Sequence, residues 1–588
     1  MCYTFCGEKQ MKTNYYHTHN CNELSLNDVG KQVVLSGWVE AIRKLGGIAF
    51  CTIRDHFGLT QIVFDDEAML GDICKETVVR VEGEVVERSS KNKNMQTGDI
   101  EVKVHKIETL GKCMNVLPFE IGEAPNTKED LRYKYRYLDL RNPLNHKNLV
   151  VRSEILKYIR DKFYEMGFLE VQTPILTSSS PEGARDYIVP TIFSKGEFYA
   201  LPQAPQQFKQ LLMVSGYDKY FQIAPCFRNE AGRADRMTGE FYQIDFEMSF
   251  VTQEDVFEVC ENFVTGLYKK FTKLDVCDAP FVRIPYKEAI EKYCSDKPDL
   301  RNPLIVNDVT SVFENTEFNA FKGKTIKMIV ASCEDKPRRF YDDLGKLIVS
   351  YEGKGVAWLK YDGVEFSGSI AKFLTDEQKN SLKSFNLNAG DSLFFIADEK
   401  AMAIKLANVL RNALGEQLGL IDANAVKFCW VVDFPFYEIN EETGKLDFSH
   451  NPFSMPQGGL DALLNKDPLD IVAYQYDLVC NGYEMLSGAV RNHQQETMIK
   501  AFELVGYSQE VVESKFSALF NAFSYGAPPH AGGAFGFDRM LMQILGYDVI
   551  REIAAFPLNK NGRDLLMNAP SRIDEKTLQE LGLKVIEK

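Results

Sequence analysis

The chain has 588 residues, with 68 Lys+Arg against 83 Asp+Glu and a formal charge of −15 at pH 7. Its 45% apolar, 26% charged and 12% aromatic content is that of a globular protein, which excludes collagen-like and wholly disordered chains. No window nears 18 consecutive apolar residues, the first residues show no basic-then-apolar leader, and the acidic balance taken alone argues against a nucleic-acid partner.

Residues 1–30 are polar and irregular. Tyr15, Tyr16, His17 and His19 crowd together there, which reads as a frayed arm before it reads as a metal site. From Lys31 to Leu110 five stretches alternate apolar and polar residues: QVVLSGWVEAIR, GIAFCTIRD, LTQIVFDD, TVVRVEGEVVER and DIEVKVHKIETL. Five strands with a short amphipathic segment before the fourth predict a small barrel of OB type over 31–112. That domain holds 12 Lys+Arg and 13 Asp+Glu, so it is nearly neutral inside an acidic chain. Residues 113–147 read as a linker with Pro118, Pro125 and Pro143. Apolar residues at helical spacing then predict a helix from Asn148 to Met166, capped by Gly167. GFLEVQTPIL follows as an extended strand broken at Pro174. Residues 148–300 and 421–588 carry the dense polar constellations. Between them, 301–420 alternates helix and strand like an inserted α+β domain. The last part ends in strands, a glycine-rich turn and a helix at 539–546. Thirteen cysteines at irregular spacing form no C-x-x-C pair and no zinc-spaced cluster, which points to free thiols in a reducing, cytoplasmic compartment.

Four stretches carry chemistry. KYFQIAPCFRNEAGRADRMTGEFYQIDFEMSF, at 219–250, reads as an antiparallel hairpin. Arg228 and Glu230 share one strand face and Asp245 and Glu247 another, by the period of two. A solvated face of surface ion pairs is the plain alternative. HAGGAFGFDRMLMQIL, at 530–545, offers Gly532, Gly533 and Gly536 for close backbone approach before Arg539. Anion binding at a helix start and simple glycine packing both fit. No G-x-x-x-x-G-K-[ST] is present, so any nucleotide site uses another geometry. YDLVCNGYEMLSGAVRNH, at 476–493, holds Asp477 and Glu484 as candidates for a metal or nucleotide, and the lone cation Arg491. LPQAPQQFKQ, at 201–210, sets Gln203, Gln206 and Lys209 around two prolines. Singly, each is as well explained by a cap or a turn.

Taken in order, these stretches resemble the bacterial-type aspartyl-tRNA synthetases, a family of class II aminoacyl-tRNA synthetases, from Leu24 to the C-terminus. GFLEVQTPIL is similar to class II motif 1, FRNE…EFYQIDFE to motif 2 and GGAFGFDR to motif 3. PEGARDY, YALPQAPQQFKQ and SDKPDLRNP resemble strings of the bacterial aspartate branch. The resemblance implies an OB-fold anticodon barrel, an antiparallel-sheet catalytic domain and an inserted GAD-type domain. It implies ATP as substrate, Mg²⁺, homodimerisation through motif 1 at Pro174, and transfer of aspartate to tRNA(Asp), with tRNA(Asn) left open. Arg228 and Arg539 would be catalytic. ATP would meet Arg228, Glu230, Phe241, Glu484, Gly536 and Arg539. Aspartate would meet Glu182, Gln206, Lys209, Arg228, Asp245, His450 and Arg491, with Arg491 as a bidentate partner of the side-chain carboxylate. Asp477 and Glu484 would hold the metal. Arg43, Phe50, Gln61, Asn92 and Glu101 would contact the anticodon, Phe50 by stacking. The chain departs from the family pattern at Ala204, at MLSGA before Arg491, at Asn451 and in a longer motif 2 loop. A synthetase specific for asparagine or lysine, or a non-catalytic RNA-binding paralogue, remains as an alternative. The pairing of Lys209 with Arg491 weighs against the first, and the retention of Arg228 and Arg539 against the second.

Overall fold

The computed structural model describes residues 14–179, 183–440 and 443–586. The chain divides into two units at Pro118/Phe119.

In the first unit the strands Gln32–Leu45, Ile48–Arg54, Leu59–Phe64, Val78–Glu87 and Ile100–Gly111 close a barrel in the order first, second, third, fifth, fourth. The third and fifth strands run parallel, with Ile62 opposite Val102. Alternate residues fill the interior, among them Val33, Leu35, Ile53, Ile62, Val81 and Val102. Two mid-strand glycines are required where neighbouring backbone comes close. A Cβ on Gly37 would lie 2.4 Å from the Arg54 carbonyl oxygen, and one on Gly83 2.3 Å from that of Lys103. The short segment before the fourth strand is a 3₁₀ turn at Glu67–Leu70.

The described part of the N-terminal stretch is not a frayed arm. Cys21 and Leu24 are buried in the barrel core, and Thr18 N–H donates to the Val34 carbonyl at 2.9 Å. Tyr15 lies 4.2 Å from the Arg80 guanidinium and donates to Glu108 at 2.9 Å. These partners are distant in sequence, so local polarity did not reveal them. Among the described residues no group of three or more His, Cys, Asp or Glu side chains gathers as a metal cage.

Residues 119–147, expected as linker, are structured. Helical turns span Ile121–Asn126, Glu129–Lys134 and Arg136–Asp139. Buried Arg132 pairs with Asp139 at 3.1 Å and with Glu552 at 2.7 Å, and Arg136 donates to the Ala554 and Ala555 carbonyls. The prolines misled: Pro143 occupies the first turn of a helix, Pro143–Glu165, with Asn142 as its N-cap. That helix therefore begins before Asn148. It ends at Gly167, whose φ of 82° supplies the left-handed turn.

The second unit is built on an eight-stranded sheet. Its order is Val282–Pro285, Phe428–Val432, Gln475–Cys480, Tyr483–Val490, His530–Gly536, Gly239–Ser249, Lys219–Arg228, Leu169–Glu170. All neighbours are antiparallel except the two outermost pairs. The expected strand at FLEVQTPIL is ordered as a strand only at Leu169–Glu170. Helices Pro143–Glu165 and Gln253–Phe271 bury one face of the sheet, through Ile155, Ile159, Phe163, Phe257 and Phe263 against Phe221, Phe246, Trp430 and Phe535. On the other face, helix Tyr286–Tyr293 covers Ile284, Cys429, Val431 and Val479 at one edge, and the middle of the sheet carries polar side chains.

The glycine-rich stretch is a central strand of this sheet, His530–Gly536, and not a turn. A Cβ on Gly532 would come 2.2 Å from the Phe246 carbonyl oxygen, so close packing decides that position. Gly536 has ordinary room, with nothing nearer than 3.7 Å. The helix that follows spans Phe537–Leu545, with Arg539 in its first turn. Between residues 301 and 420 a five-stranded antiparallel sheet forms from Val306–Asp308, Thr325–Ser332, Asp391–Asp398, Ala357–Tyr361 and Phe366–Gly368. Helices Arg338–Ser350 and Lys400–Gln417 cover one face of it.

Candidate active site

The hairpin of Lys219–Arg228 and Gly239–Ser249 pairs with Arg228 opposite Gly239 and Asp245 opposite Gln222. Register then carries one row across the sheet. Asp477 faces Ser487, Ser487 faces Ala534, Ala534 faces Asp245, and Asp245 faces Gln222. This row floors a cavity of 660 Å³ that collects the residues singled out above. Gln206, Lys209, Arg228, Glu230, Phe241, Asp245, His450, Asp477, Glu484, Arg491, Gly536 and Arg539 all line it. Glu182 lies outside the described residues. Glu230 sits just past the end of its strand, in the loop, where Arg236 pairs with it at 2.8 Å.

At one end of the cavity four buried charges meet. Lys209 Nζ is 2.7 Å from Asp245 Oδ1 and 3.2 Å from Glu247 Oε2. Arg491 Nε is 2.8 Å from Glu247 Oε1, and its Nη2 donates to Glu247 Oε2 at 3.2 Å and to the Gly532 carbonyl at 3.4 Å. The Nε–Nη2 fork is thus occupied by Glu247, so the bidentate pairing expected between Arg491 and a substrate carboxylate is not available through that edge. Burial pushes the Asp245 carboxyl up to about 6 despite the adjacent Lys209 ammonium. Burial also works to raise Glu247, but Arg491 and Lys209 together hold it below the usual carboxylate range. Beneath them His530 is buried, which lowers its pKa, and its ring meets the Gln210 amide at 3.0 Å. The sequence placed Glu247 on the right face but gave it no role. The signal was its two-residue spacing from Asp245.

The middle of the cavity is a flat slot. The Arg228 guanidinium lies 5.1 Å from the Phe241 ring. Arg539 Nη1 donates to the Glu484 carbonyl at 2.6 Å, and Nη2 is 3.6 Å from Asp235. His450 packs edge-on against Phe434 at 5.1 Å, and burial lowers its pKa.

At the far end Asp477 and Glu484 approach each other. They come from neighbouring strands, and the register shift between Leu478 and Val479 sets their geometry. Ser487 and Glu484 are three apart, which in a regular strand would put them on opposite faces. The bulge brings Glu484 to the same face as Asp477. Burial and the Glu484 charge raise the Asp477 carboxyl well above its ordinary value, with Lys297 opposing. Lys297 Nζ is 3.4 Å from Glu484 Oε2. Lys297 had no role assigned from the sequence, although it lies in the string SDKPDLRNP that carried part of the resemblance.

Among the described residues, three buried polar atoms of the cavity have no hydrogen-bond partner: Asp245 Oδ2, Arg228 Nε and Asp477 Oδ1. Buried polar groups are normally satisfied, so each marks a place for ligand atoms. They lie in the charged end, the slot and the carboxylate pair respectively.

The barrel carries its own cavity of 590 Å³, lined by Arg43, Phe50, Gln61, Arg88 and Glu101 among others. Gln61 donates to Glu101 at 2.6 Å and accepts from Arg88 at 2.9 Å, so its amide is fixed in orientation. Arg88 was missed by the sequence reading, because the end of a strand gives no local cue. Asn92 stands outside this cavity, with its Oδ1 accepting from Asn94 N–H at 3.0 Å. Pro174 precedes the half-exposed Ile175 and Leu176.

Residues 128–560 match the tRNA synthetases class II (D, K and N), and residues 33–110 match the OB-fold nucleic acid binding domain. The chain belongs to the class II tRNA synthetases of this group. Among curated relatives, an aspartate–tRNA(Asp/Asn) ligase of Rickettsia prowazekii is 51% identical over 587 residues, covering 97% of each chain. An aspartate–tRNA ligase of Streptomyces coelicolor is 51% identical over 580 residues, covering 97% of this chain and 98% of that one. In fold, the chain is similar to the aspartyl tRNA synthetase from Entamoeba histolytica, with a TM-score of 0.57 at 19% identity, covering 94% of this chain and 92% of that one. The asparaginyl-tRNA synthetase from Pyrococcus horikoshii, solved with asparaginyl-adenylate, gives 0.57 at 19% identity over 94% of this chain and 99% of that one.

Proposed function

We propose that the chain is an aspartate–tRNA ligase that uses ATP to activate L-aspartate as its adenylate, then passes the acyl group to the terminal ribose of tRNA. The observation that carries this is the set of three unpartnered atoms in one cavity, each beside charge suited to one part of the reactants.

The amino acid belongs at the four-charge end. A side-chain carboxylate meets Lys209 and Arg491 Nη1, and the α-ammonium meets Asp245 Oδ2, with Gln206 and His450 lining the same space. Two cations at the side-chain end favour an acid over an amide and repel lysine. Glu247 keeps both cations charged and fixed, and so sets where the carboxylate can sit. The adenine belongs between Phe241 and Arg539, with Glu230 and Gly536 at its rim. Arg228 Nε is poised for the α-phosphate. The α-carboxylate of aspartate attacks the α-phosphorus, the bond to the bridging oxygen breaks, and pyrophosphate leaves. Arg228 and Arg539 offset the charge that builds on the phosphate oxygens, and positioning supplies much of the rest. Asp477 and Glu484 suit Mg²⁺, which takes one or two carboxylates and completes its shell with phosphate oxygens and water. The unpartnered Asp477 Oδ1 fits that donor set. When bound, the ion would add charge against the polyphosphate and help to orient it.

On the barrel, Phe50 stacks an anticodon base, with Arg43, Gln61, Arg88 and Glu101 around it. The exposed Ile175 and Leu176 beside Pro174 favour a homodimer through this segment. Unpaired cysteines such as Cys51, Cys260 and Cys480 suit a reducing cytoplasm.

ATP–pyrophosphate exchange with aspartate and with asparagine tests the activity. Exchange should depend on aspartate, and the absence of exchange with either amino acid would overturn the assignment. The two curated relatives at equal identity differ in the acceptors they are named for, so charging of purified tRNA(Asp) and tRNA(Asn) reads out acceptor choice directly.

A further inference from the structure

Asp477 and Glu484 share one wall of the cavity, and the repulsion between two such carboxylates favours a counter-charge beside them. The charge comes from a loop outside the sheet. Helix Tyr286–Tyr293 ends at Cys294, whose φ of 53° turns the chain into residues 295–303. This loop brings Asp296 and Lys297 to the cavity wall. Lys297 Nζ is 3.4 Å from Glu484 Oε2 and also pairs with Asp296. Arg539, in the neighbouring slot, donates to the Glu484 backbone carbonyl.

The loop is held with unusual firmness from the inserted sheet's side. Arg411, on helix Lys400–Gln417, is 1% exposed. It donates to the carbonyls of Leu304 at 2.7 Å, Asn302 at 2.7 Å and Asp299 at 3.0 Å. Asn302 returns a bond to the Arg411 carbonyl at 2.9 Å. Gly415 leaves room for that amide, since a Cβ there would lie 2.4 Å from Asn302 Nδ2. The backbone just after Lys297 is therefore anchored, and its partly exposed side chain reaches Glu484 from that base.

We propose that Lys297 is a built-in counter-ion of the Asp477–Glu484 pair that competes with a divalent cation for it, so that the cation enters with the nucleotide and not ahead of it. The proposal rests on the assignment of Asp477 and Glu484 as divalent-cation ligands. An ammonium and a dication beside the same two carboxylates repel one another. Triphosphate oxygens add the negative charge that lets both stay. Metal and nucleotide binding are then coupled, each strengthening the other by the same factor.

Mn²⁺ titration of the full chain, followed by electron paramagnetic resonance without nucleotide, tests this. K297Q should bind Mn²⁺ on the order of tenfold more tightly than the parent, because a charge a few ångströms away is removed. K297R should match the parent, and a nonhydrolysable ATP analogue should tighten Mn²⁺ binding more in the parent than in K297Q. Equal Mn²⁺ affinity in K297Q and the parent, with the site lost in D477N/E484Q, would overturn the role of Lys297 and leave the metal assignment standing. A Mn²⁺ site that survives in D477N/E484Q would overturn the metal assignment itself, and the proposal with it.

Discussion

The four charges at the amino-acid end sum to zero, and each depends on the others. Removing one partner of such a buried group strands its neighbour, at a cost of about 3–5 kcal/mol. Arg491→Leu should therefore lose stability as well as aspartate activation, by leaving Glu247 with Lys209 alone. Thermal unfolding beside pyrophosphate exchange separates the two effects, and an unchanged kcat/KM for aspartate would refute the role of Arg491. Asp245 gives a pH signature. Burial pushes its carboxyl up to about 6, so the free site is ionised at pH 8 and gains a proton as pH falls through 6. The ammonium of aspartate needs the ionised form, so KM for aspartate should rise below pH 6, by up to about tenfold per unit. The groups facing Asp245 are Lys209, Glu247, Arg491 and Tyr220. Measured KM values from pH 8 to 5 check this, and Asp245→Asn should abolish the trend. Most residue types at this site were legible from the motif strings. The Arg491–Glu247 pairing was not, because 244 positions separate the two.

At the scale of elements, the glycine-rich strand shows how packing sets a sequence. Gly532 lies where His530–Gly536 crosses Gly239–Ser249, and a methyl group there would enter the Phe246 carbonyl. Gly532→Ala should cost about 1–3 kcal/mol by overpacking, and should disturb Glu247, whose Oε2 would stand 2.4 Å from the new Cβ. Gly536→Ala should cost at most about 1 kcal/mol, since only the helix cap changes. Melting temperatures of the two variants check the contrast, and equal losses would contradict it. The strand was misread as a turn because glycine-rich runs carry no apolar alternation, and only pairing on both sides makes them a strand. The bulge beside Met485 was hidden for a related reason. It breaks the period of two on which strand faces are read.

At the scale of the whole molecule, charge is unevenly spread. Residues 421–588 hold 14 Lys+Arg against 23 Asp+Glu, a net of −9, whereas the barrel is close to neutral. The net charge of −15 first argued against a nucleic-acid partner, yet residues 33–110 match a nucleic acid binding domain. Recognition of single-stranded bases by stacking and edge contacts does not need a globally basic surface. The two-unit division makes a separable prediction. Phe50→Ala should raise KM for tRNA by roughly tenfold or more, equivalent to about 1–3 kcal/mol of lost stacking, and leave aspartate-dependent pyrophosphate exchange nearly intact. Equal loss of both activities would count against a recognition role for Phe50. The amino-acid sequence by itself determined the barrel, the order of the motifs and the residue types of the site, because these rest on local alternation and on strings read along the chain. Only the tertiary structure decided that residues 119–147 are packed and that residues 14–24 close onto the barrel. The same is true of Glu484 turning toward Asp477, Glu247 occupying the Arg491 fork and Lys297 standing guard at the carboxylate pair. Most of these are contacts between segments tens to hundreds of residues apart, and the Glu484 turn is a bulge that breaks the strand period; no periodicity within one segment encodes either.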